Sequence, residues 1–354
     1  MQLIKAEVIP VELSLNQPVR MAGLPDIRQV TAVFLRLETR DRKNAWGCAV
    51  AHPDLTGEQP DEVIRLCQDG AAMATDLHPL NLEFSLSKLA PITNHSPAAA
   101  CAFDLAFHDL LGLYLDMPLY RILGGFRHRI QTSATVPIAG LSESVEIAQA
   151  RARAGFRMLK IKGGLNPEED VERVKAIHRA LPNHTLRLDA DGGYSTAQAL
   201  DVARALQAEI EMLEQPTPPT DIDSLHDVTR LSPVPVLADQ SARGPASALD
   251  LAARRAVHGV SVKVATCGGL RCARQVDYIA RAAKITVMVS CVIEPALLIA
   301  AGLSLALSSS SVQYGDLDGF LDLTNDPTVR GFILEDGWLI ATDVPGLGCT
   351  VELS

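Results

Sequence analysis

The chain has little that would mark it as a disulfide-stapled, zinc-binding or nucleotide-binding protein. Its seven cysteines are an odd number with no Cys-x-x-Cys pair, so neither a disulfide framework nor a zinc ribbon is implied, and a reducing, cytoplasmic setting fits. The nine histidines form no His-x-His or His-x-x-x-His cluster. The paired glycines at 163–164, 192–193 and 268–269 lack the spacing of dinucleotide or phosphate loops. Asp189-Ala190-Asp191-Gly192 opens like a calcium loop, but Leu200 stands twelfth, where that loop needs a bidentate Glu. The most apolar run, Val292 to Leu307, contains Glu294 and Pro295 and falls short of the roughly 20 residues that span a bilayer. The N-terminus alternates like a strand and has no signal-peptide core. A net charge of −10 argues against nucleic acid and anionic membranes as partners, leaving a small molecule.

What is present suits an enzyme with ample core: 354 residues, 47% apolar and 21% charged. Strands are expected at 2–14, 29–39 and 46–50, and helices from after Thr56-Gly57 to about Leu77 and from Ser96-Pro97 to about Leu115. From residue 130 onward, short apolar strands alternate with capped helices. The strands are expected at 130–137, 157–162, 186–191, 210–214, 234–239, 259–264, 285–290 and 311–315. One helix starts at Asn166-Pro167 with Glu169 closing a capping box and Val171, Val174, Ile177 and Leu181 as its buried stripe; another starts at Ser195 with Gln198 in the box position. This is the α/β pattern of a (β/α) barrel. The remaining residues, with Gly331 to Gly348, have hairpin character and are expected to pack back on the first part.

The barrel pattern gives meaning to one recurring interval. Asp189, Glu214 and Asp239 fall 25 residues apart, Lys263 follows 24 later, and Lys162 stands 27 before Asp189. Roughly 25 residues make one strand-loop-helix-loop unit, so equal spacing puts each group at the same height, at strand C-termini where barrel enzymes keep their chemistry. Three clustered carboxylates repel one another and need a cation; oxygen donors with room for substrate indicate Mg²⁺, with Mn²⁺ as the substitute. In Leu159-Lys160-Ile161-Lys162, a period of two sends both ammonium groups to one side, where mutual repulsion is expected to leave Lys162 partly neutral and able to act as a base. Lys263 lies across the barrel, placed for the opposite face of a ligand. The arrangement suits removal of a proton from carbon next to a carboxylate, through an enediolate.

These residues together resemble the enolase superfamily, in its muconate-lactonising branch. The likeness runs from Pro118-Leu119-Tyr120 and Leu123-Gly124-Gly125 through Lys160-Ile161-Lys162, Asp189-Ala190-Asp191, Glu214-Gln215-Pro216 and Ala238-Asp239-Gln240-Ser241 to Val262-Lys263 and Gly268-Gly269. It implies a (β/α)7β-type modified TIM barrel (128–321), an N-terminal α+β capping domain (1–127) and a C-terminal segment (322–354) that completes the cap. It makes Asp189, Glu214 and Asp239 the metal ligands, Lys162 and Lys263 the acid/base pair, and Lys160 the residue that tunes Lys162. The mandelate-racemase branch uses a histidine at the seventh strand end, and 285–295 has none.

Asp316-Leu317-Asp318-Gly319 looks like the signature of dipeptide epimerases, whose paired carboxylates grip a substrate α-ammonium. The resemblance therefore implies a Mg²⁺-dependent epimerase that inverts the C-terminal residue of an L,L-dipeptide by two-base 1,1-proton transfer. N-acylamino acid racemase, o-succinylbenzoate synthase or cycloisomerase chemistry of the same branch is the runner-up. Thr135 and Glu294 are expected to add substrate contacts, and Arg20, Asp26 and His52 are polar candidates on cap loops 16–27 and 51–57. A homo-oligomer is expected by the same likeness. The chain departs from many relatives at Asp191, where Asn is usual, and at Gln240, where Glu is usual.

Overall fold

The structure, a computed structural model, describes residues 2–352; Met1, Leu353 and Ser354, at the ends of the expected first and last segments, lie outside them. The chain opens with an antiparallel sheet of β1 (Leu3–Val19), β2 (Ile27–Thr39) and β3 (Asn44–Ala51). The period of two along β2 serves two cores. Val30, Ala32 and Phe34 pack toward the barrel, while Val33, Leu35 and Leu37 pack under helices. Those helices are α1 (Pro60–Ala74), α2 (Leu82–Thr93) and α3 (Pro97–Leu115), followed by the short α4 (Leu119–Leu123). α2 is not among the helices expected from sequence, and Pro91 lies inside it. α3 starts as expected, with Ser96 accepting from the Ala99 amide and Pro97 in the first turn. Its length and composition would suit a membrane span, but 72% of its apolar window is buried within the protein.

The expected strand at 130–137 is divided. β4 (Arg129–Gln131) joins a small C-terminal sheet, and β5 (Ser133–Val136) alone enters the barrel. The break falls where the chain crosses Gly315: a Cβ there would lie 2.5 Å from the Gln131 carbonyl oxygen. The barrel then runs β5, α5 (Leu141–Arg153), β6 (Met158–Lys162), α6 (Pro167–Ala180), β7 (Thr185–Asp189), α7 (Thr196–Ala205), β8 (Ile210–Glu214), α8 (Ile222–Leu231), β9 (Val236–Ala238), α9 (Pro245–Arg254), β10 (Gly259–Lys263), α10 (Val264–Cys267), α11 (Leu270–Ala283), β11 (Thr286–Ser290), α12 (Ala296–Ser308) and β12 (Val312–Asp316). The eight strands β5 to β12 lie side by side in chain order and all neighbours are parallel. A bridge from Thr132 to Gly315 and a 2.5 Å bond from Ser133 Oγ to the Asp316 carboxylate link the first strand to the last. This is a (β/α)7β barrel.

The Ser195–Gln198 capping box of α7 forms as expected. At α6 Asn166 caps the helix, but Glu169 accepts from the Asn166 side chain and not from its backbone. The buried face of α6 also holds two charged residues that an apolar stripe does not reveal, Asp170 and Arg173.

Beyond β12 come β13 (Thr328–Val329), β14 (Phe332–Glu335), β15 (Trp338–Ala341) and β16 (Thr350–Val351). β14 and β15 form a hairpin turned by Asp336 and Gly337, both at positive φ (49° and 73°), the conformation that favours Asp-Gly. The segment returns to the first part: Asp109 of α3 accepts from the Leu347 amide (2.7 Å) and the Trp46 amide (2.8 Å), and Leu119 donates to Gly346 (2.8 Å). A second aspartate of α3, Asp104, accepts from the amides of Leu270 (2.6 Å) and Arg271 (3.3 Å), so the cap supplies the N-terminal cap of barrel helix α11.

Candidate active site

Five successive strands deliver the charged groups. Lys160 and Lys162 stand on β6, Asp189 ends β7, Glu214 ends β8, Asp239 follows β9 and Lys263 ends β10. Lys162 is directly opposite Asp189 in the ladder, and Asp189 opposite Glu214, so the register levels them. Three carboxylate oxygens of Asp189, Glu214 and Asp239 lie within 4.8 Å of one another, all three residues buried. Among the described residues neither Glu214 oxygen, both buried, has a hydrogen-bond partner, and the nearest ammonium, that of Lys160, stands 3.9 Å from Oε2, beyond hydrogen-bond reach. Burial and the neighbouring Asp189 charge push the Glu214 carboxyl well above the usual range. A buried carboxylate with no donor is costly unless a cation meets it, and hard oxygen donors on three sides fit Mg²⁺ or Mn²⁺.

The carboxylates are held by a backbone device. Gln215 takes φ +37°, and its side-chain oxygen accepts from the amides of Asp239 (2.9 Å) and Ser241 (3.1 Å), while its amide group donates to Thr217 and Ser241. The loop of β8 is thereby tied to that of β9.

The lysines are ion-paired. Lys162 Nζ donates to Asp189 (2.8 Å) and to both oxygens of Asp191 (3.0 and 2.9 Å), Lys263 Nζ to Asp239 (2.5 Å), and Lys160 Nζ to Asp316. The expected neutral Lys162 is not what this arrangement gives. Burial pulls its pKa down and Lys160 adds to that, but Asp189 and Asp191 outweigh both and the net shift is upward. Lys263 shifts the same way, burial opposed by Asp239 and then Glu214.

Above these groups, between barrel and cap, lies a cavity of about 750 Å³. Lys160, Lys162, Asp239, Lys263, Thr135 and Asp318 all reach it. Asp316 does not: it is fully buried, tied to Lys160 and Ser133, so only one carboxylate of the expected pair faces a ligand. Asp318 accepts from the Thr135 amide (2.6 Å) at the cavity wall. Glu294 is buried and does not line the cavity; it accepts from the Val292 amide (3.3 Å). On the cap, Arg20 pairs with Asp26 at the surface (3.2 Å) and His52 accepts from its own loop. The cap residues that do line the cavity are other ones, among them the apolar Met21, Leu24 and Leu55 and the polar Asp54, Thr56 and Glu58.

Gln240 and Asp191, the two positions expected to depart from relatives, meet each other. The Gln240 amide donates to Asp191 Oδ1 (3.0 Å), so an amide on one side answers a carboxylate on the other. Gln240→Glu should set two carboxylates against each other and lower turnover about ten- to a hundred-fold. Adding Asp191→Asn should recover most of that loss, as read from steady-state kinetics of the two single variants and the double.

Glu294 gives a stability prediction. Burial pushes its carboxyl up to about 8 from an ordinary 4.5. Between those values the folded state keeps a proton that the unfolded chain has released. The stabilisation is therefore complete below about 4.5 and lost as pH rises through about 8. Glu294→Gln keeps the shape without titrating. Its unfolding free energy, from denaturant titrations, should gain on wild type steadily between those limits, by on the order of a few kcal/mol.

A family profile described as enolase C-terminal domain-like matches residues 143–354. The chain is 35% identical to an L-Lys-D/L-Arg epimerase of Methylococcus capsulatus, over 98% of this chain and 99% of that protein. Among solved structures it is similar to a dipeptide epimerase of Methylococcus capsulatus complexed with Mg and L-Arg-D-Lys (TM-score 0.94, 33% identity, 99% and 100% of the two chains). It is also similar to a dipeptide epimerase of Enterococcus faecalis complexed with Mg and L-Leu-L-Tyr (TM-score 0.95, 29% identity, 99% and 100%).

Proposed function

The chain belongs to the enolase C-terminal domain-like family of the enolase superfamily and is an isomerase, and on that premise we propose that it inverts the α-carbon of the C-terminal residue of an L,L-dipeptide. The two similar solved structures that hold Mg and a dipeptide support both substrate and ion. The observation that carries the reading is the strand order: Lys162 and Lys263 stand on β6 and β10, with the three acidic strands β7, β8 and β9 between them. Half a turn of the barrel thus separates two amines that share one cavity.

We assign Asp189, Glu214 and Asp239 to Mg²⁺. When bound, the ion supplies positive charge against the substrate carboxylate and offsets the acidic groups that pull the lysine pKa values up. Lys162 Nζ takes the α-proton from one face and Lys263 Nζ delivers one to the other; the roles exchange with direction. Lys160, clamped by Asp316, holds a fixed ammonium beside them. Asp318 offers its carboxylate to the substrate's α-ammonium, a charge-assisted contact that sets the α-carbon between the lysines. An N-succinyl group would bring a like charge to that wall, which disfavours the acylamino acid alternative. The chain divides, in this reading, into a cap (1–127), a barrel (128–321) and a returning segment (322–354).

The test is incubation with dipeptide pools in D₂O, with Mg²⁺ or with EDTA. Deuterium should enter at the C-terminal residue's α-carbon in the first case only. Absence of label in every pool would remove the proposal.

A further inference from the structure

Behind Lys162 lies a buried charged cluster that touches neither cavity nor triad. Asp170 and Arg173 stand one turn apart on α6, and Tyr194 comes from the loop after β7. Their exposures are 2%, 4% and 1%, so all three are sealed from water. Asp170 Oδ2 accepts from the Gly164 amide (2.8 Å) and the Tyr194 hydroxyl (2.5 Å), and Oδ1 from Arg173 Nη2 (2.5 Å). Arg173 Nη2 also donates to the backbone carbonyl of Lys162 (2.7 Å).

The target of these bonds is one short stretch of backbone, Lys162-Gly163-Gly164. On the β5 side the ladder ends at Val136 opposite Ile161, so no strand residue faces Lys162 there. The guanidinium takes that place. Gly163 leaves room for the carboxylate, since a Cβ would lie 2.8 Å from Asp170 Oδ2. Gly164 has φ +100° and a Cβ on it would lie 2.1 Å from the Ala190 oxygen, so the turn is seated against the neighbouring loop with no slack.

Stability alone is a poor reason for such a cluster. A buried ion pair seldom outperforms apolar residues of equal volume, and here Arg173 Nη1 is buried without any partner among the described residues. The charged groups do provide directional bonds to a backbone that apolar side chains would leave free to shift.

We propose that Arg173, Asp170 and Tyr194 are positioning residues for Lys162, fixing the strand end from which that lysine reaches the substrate. Lys263, on β10, has no part in the cluster. The device therefore acts on one of the two faces. This rests on the two-lysine reading above, and the test separates the two ideas.

Tyr194→Phe removes a single donor from Asp170, and Arg173→Lys keeps the charge while withdrawing, on a shorter side chain, the Nη2 group that bonds both Asp170 and the Lys162 carbonyl. Two measurements are made on each. Amide hydrogen exchange of the segment 158–166 should quicken relative to wild type, whatever the enzyme's substrate. Deuterium entry from solvent is then followed separately from each dipeptide epimer, the one belonging to Lys162 being identified as that whose exchange Lys162→Ala abolishes. Exchange from that epimer should fall about tenfold or more while the other changes less than about threefold. Unchanged amide exchange, or equal falls for both epimers, would overturn the inference. If Arg173→Lys fails to fold, Tyr194→Phe decides alone. If wild type exchanges no dipeptide, the proposed function has failed, and amide exchange decides this inference.

Discussion

Lys162→Ala and Lys263→Ala should each lower epimerisation by about 10³-fold, about 4 kcal/mol of transition-state stabilisation, and should do so with opposite stereochemical signatures. Net inversion needs a proton taken from one face and another delivered to the opposite face, so either loss blocks it. Exchange does not need both. With Lys263 intact, Lys162→Ala should still wash solvent deuterium into the epimer whose proton points at Lys263, without inverting it. Lys263→Ala should show the mirror result. A structural collapse would abolish both exchanges together, and a lyase-type mechanism with one base would leave turnover intact in one of the two variants. The measurement is NMR of each epimer in D₂O with Mg²⁺ present, alongside melting curves to confirm folding.

The features of this site that can be read from sequence are those set by strand period and barrel repeat. Asp189, Glu214 and Asp239 converge because each closes or directly follows a strand, and parallel register keeps consecutive strand ends level. The same logic places Lys162 opposite Asp189. What is not legible depends on which way a loop turns its side chains. Asp316 is the last residue of β12 and points into the barrel at Lys160, whereas Asp318, past the strand end, reaches the cavity wall. A period of two continued past the strand treats them as equals.

The charge balance of the lysines is similarly hidden. Two ammonium groups spaced by two residues suggest mutual repulsion, but the dominant partners of Lys162 are 27 and 29 residues away, at the end of the next strand and on the loop after it. Polar groups inside apolar helices are the third blind spot. Asp104 and Asp109 interrupt a helix that otherwise reads as core, and each is satisfied by backbone amides more than 60 residues distant. Nothing local signals such partners, because hydrogen bonding of this kind is decided by how the cap and barrel dock.

Glu214→Gln should separate stability from function in the acidic triad. In the metal-free protein the Glu214 carboxyl is buried, has no donor, and is pushed upward by burial and Asp189, so an uncharged isostere costs the fold little. The variant should therefore melt in EDTA at or above the wild-type temperature, and its advantage should widen at higher pH, where the native carboxyl is forced toward ionisation. Mg²⁺ should reverse the order. Saturating ion at about 100 times its dissociation constant stabilises wild type by about 2.7 kcal/mol, a shift of a few degrees, because binding is linked to folding. Glu214→Gln keeps two of three anionic ligands and should show little or no shift at the same concentration. Epimerisation should fall by about 10³-fold or more, because the charge that offsets the developing carbanion is gone. Melting curves with and without Mg²⁺ decide the matter without reference to any substrate. Equal Mg²⁺-induced shifts in both proteins would mean that Glu214 does not hold the ion, and the assignment of the triad would fall with it.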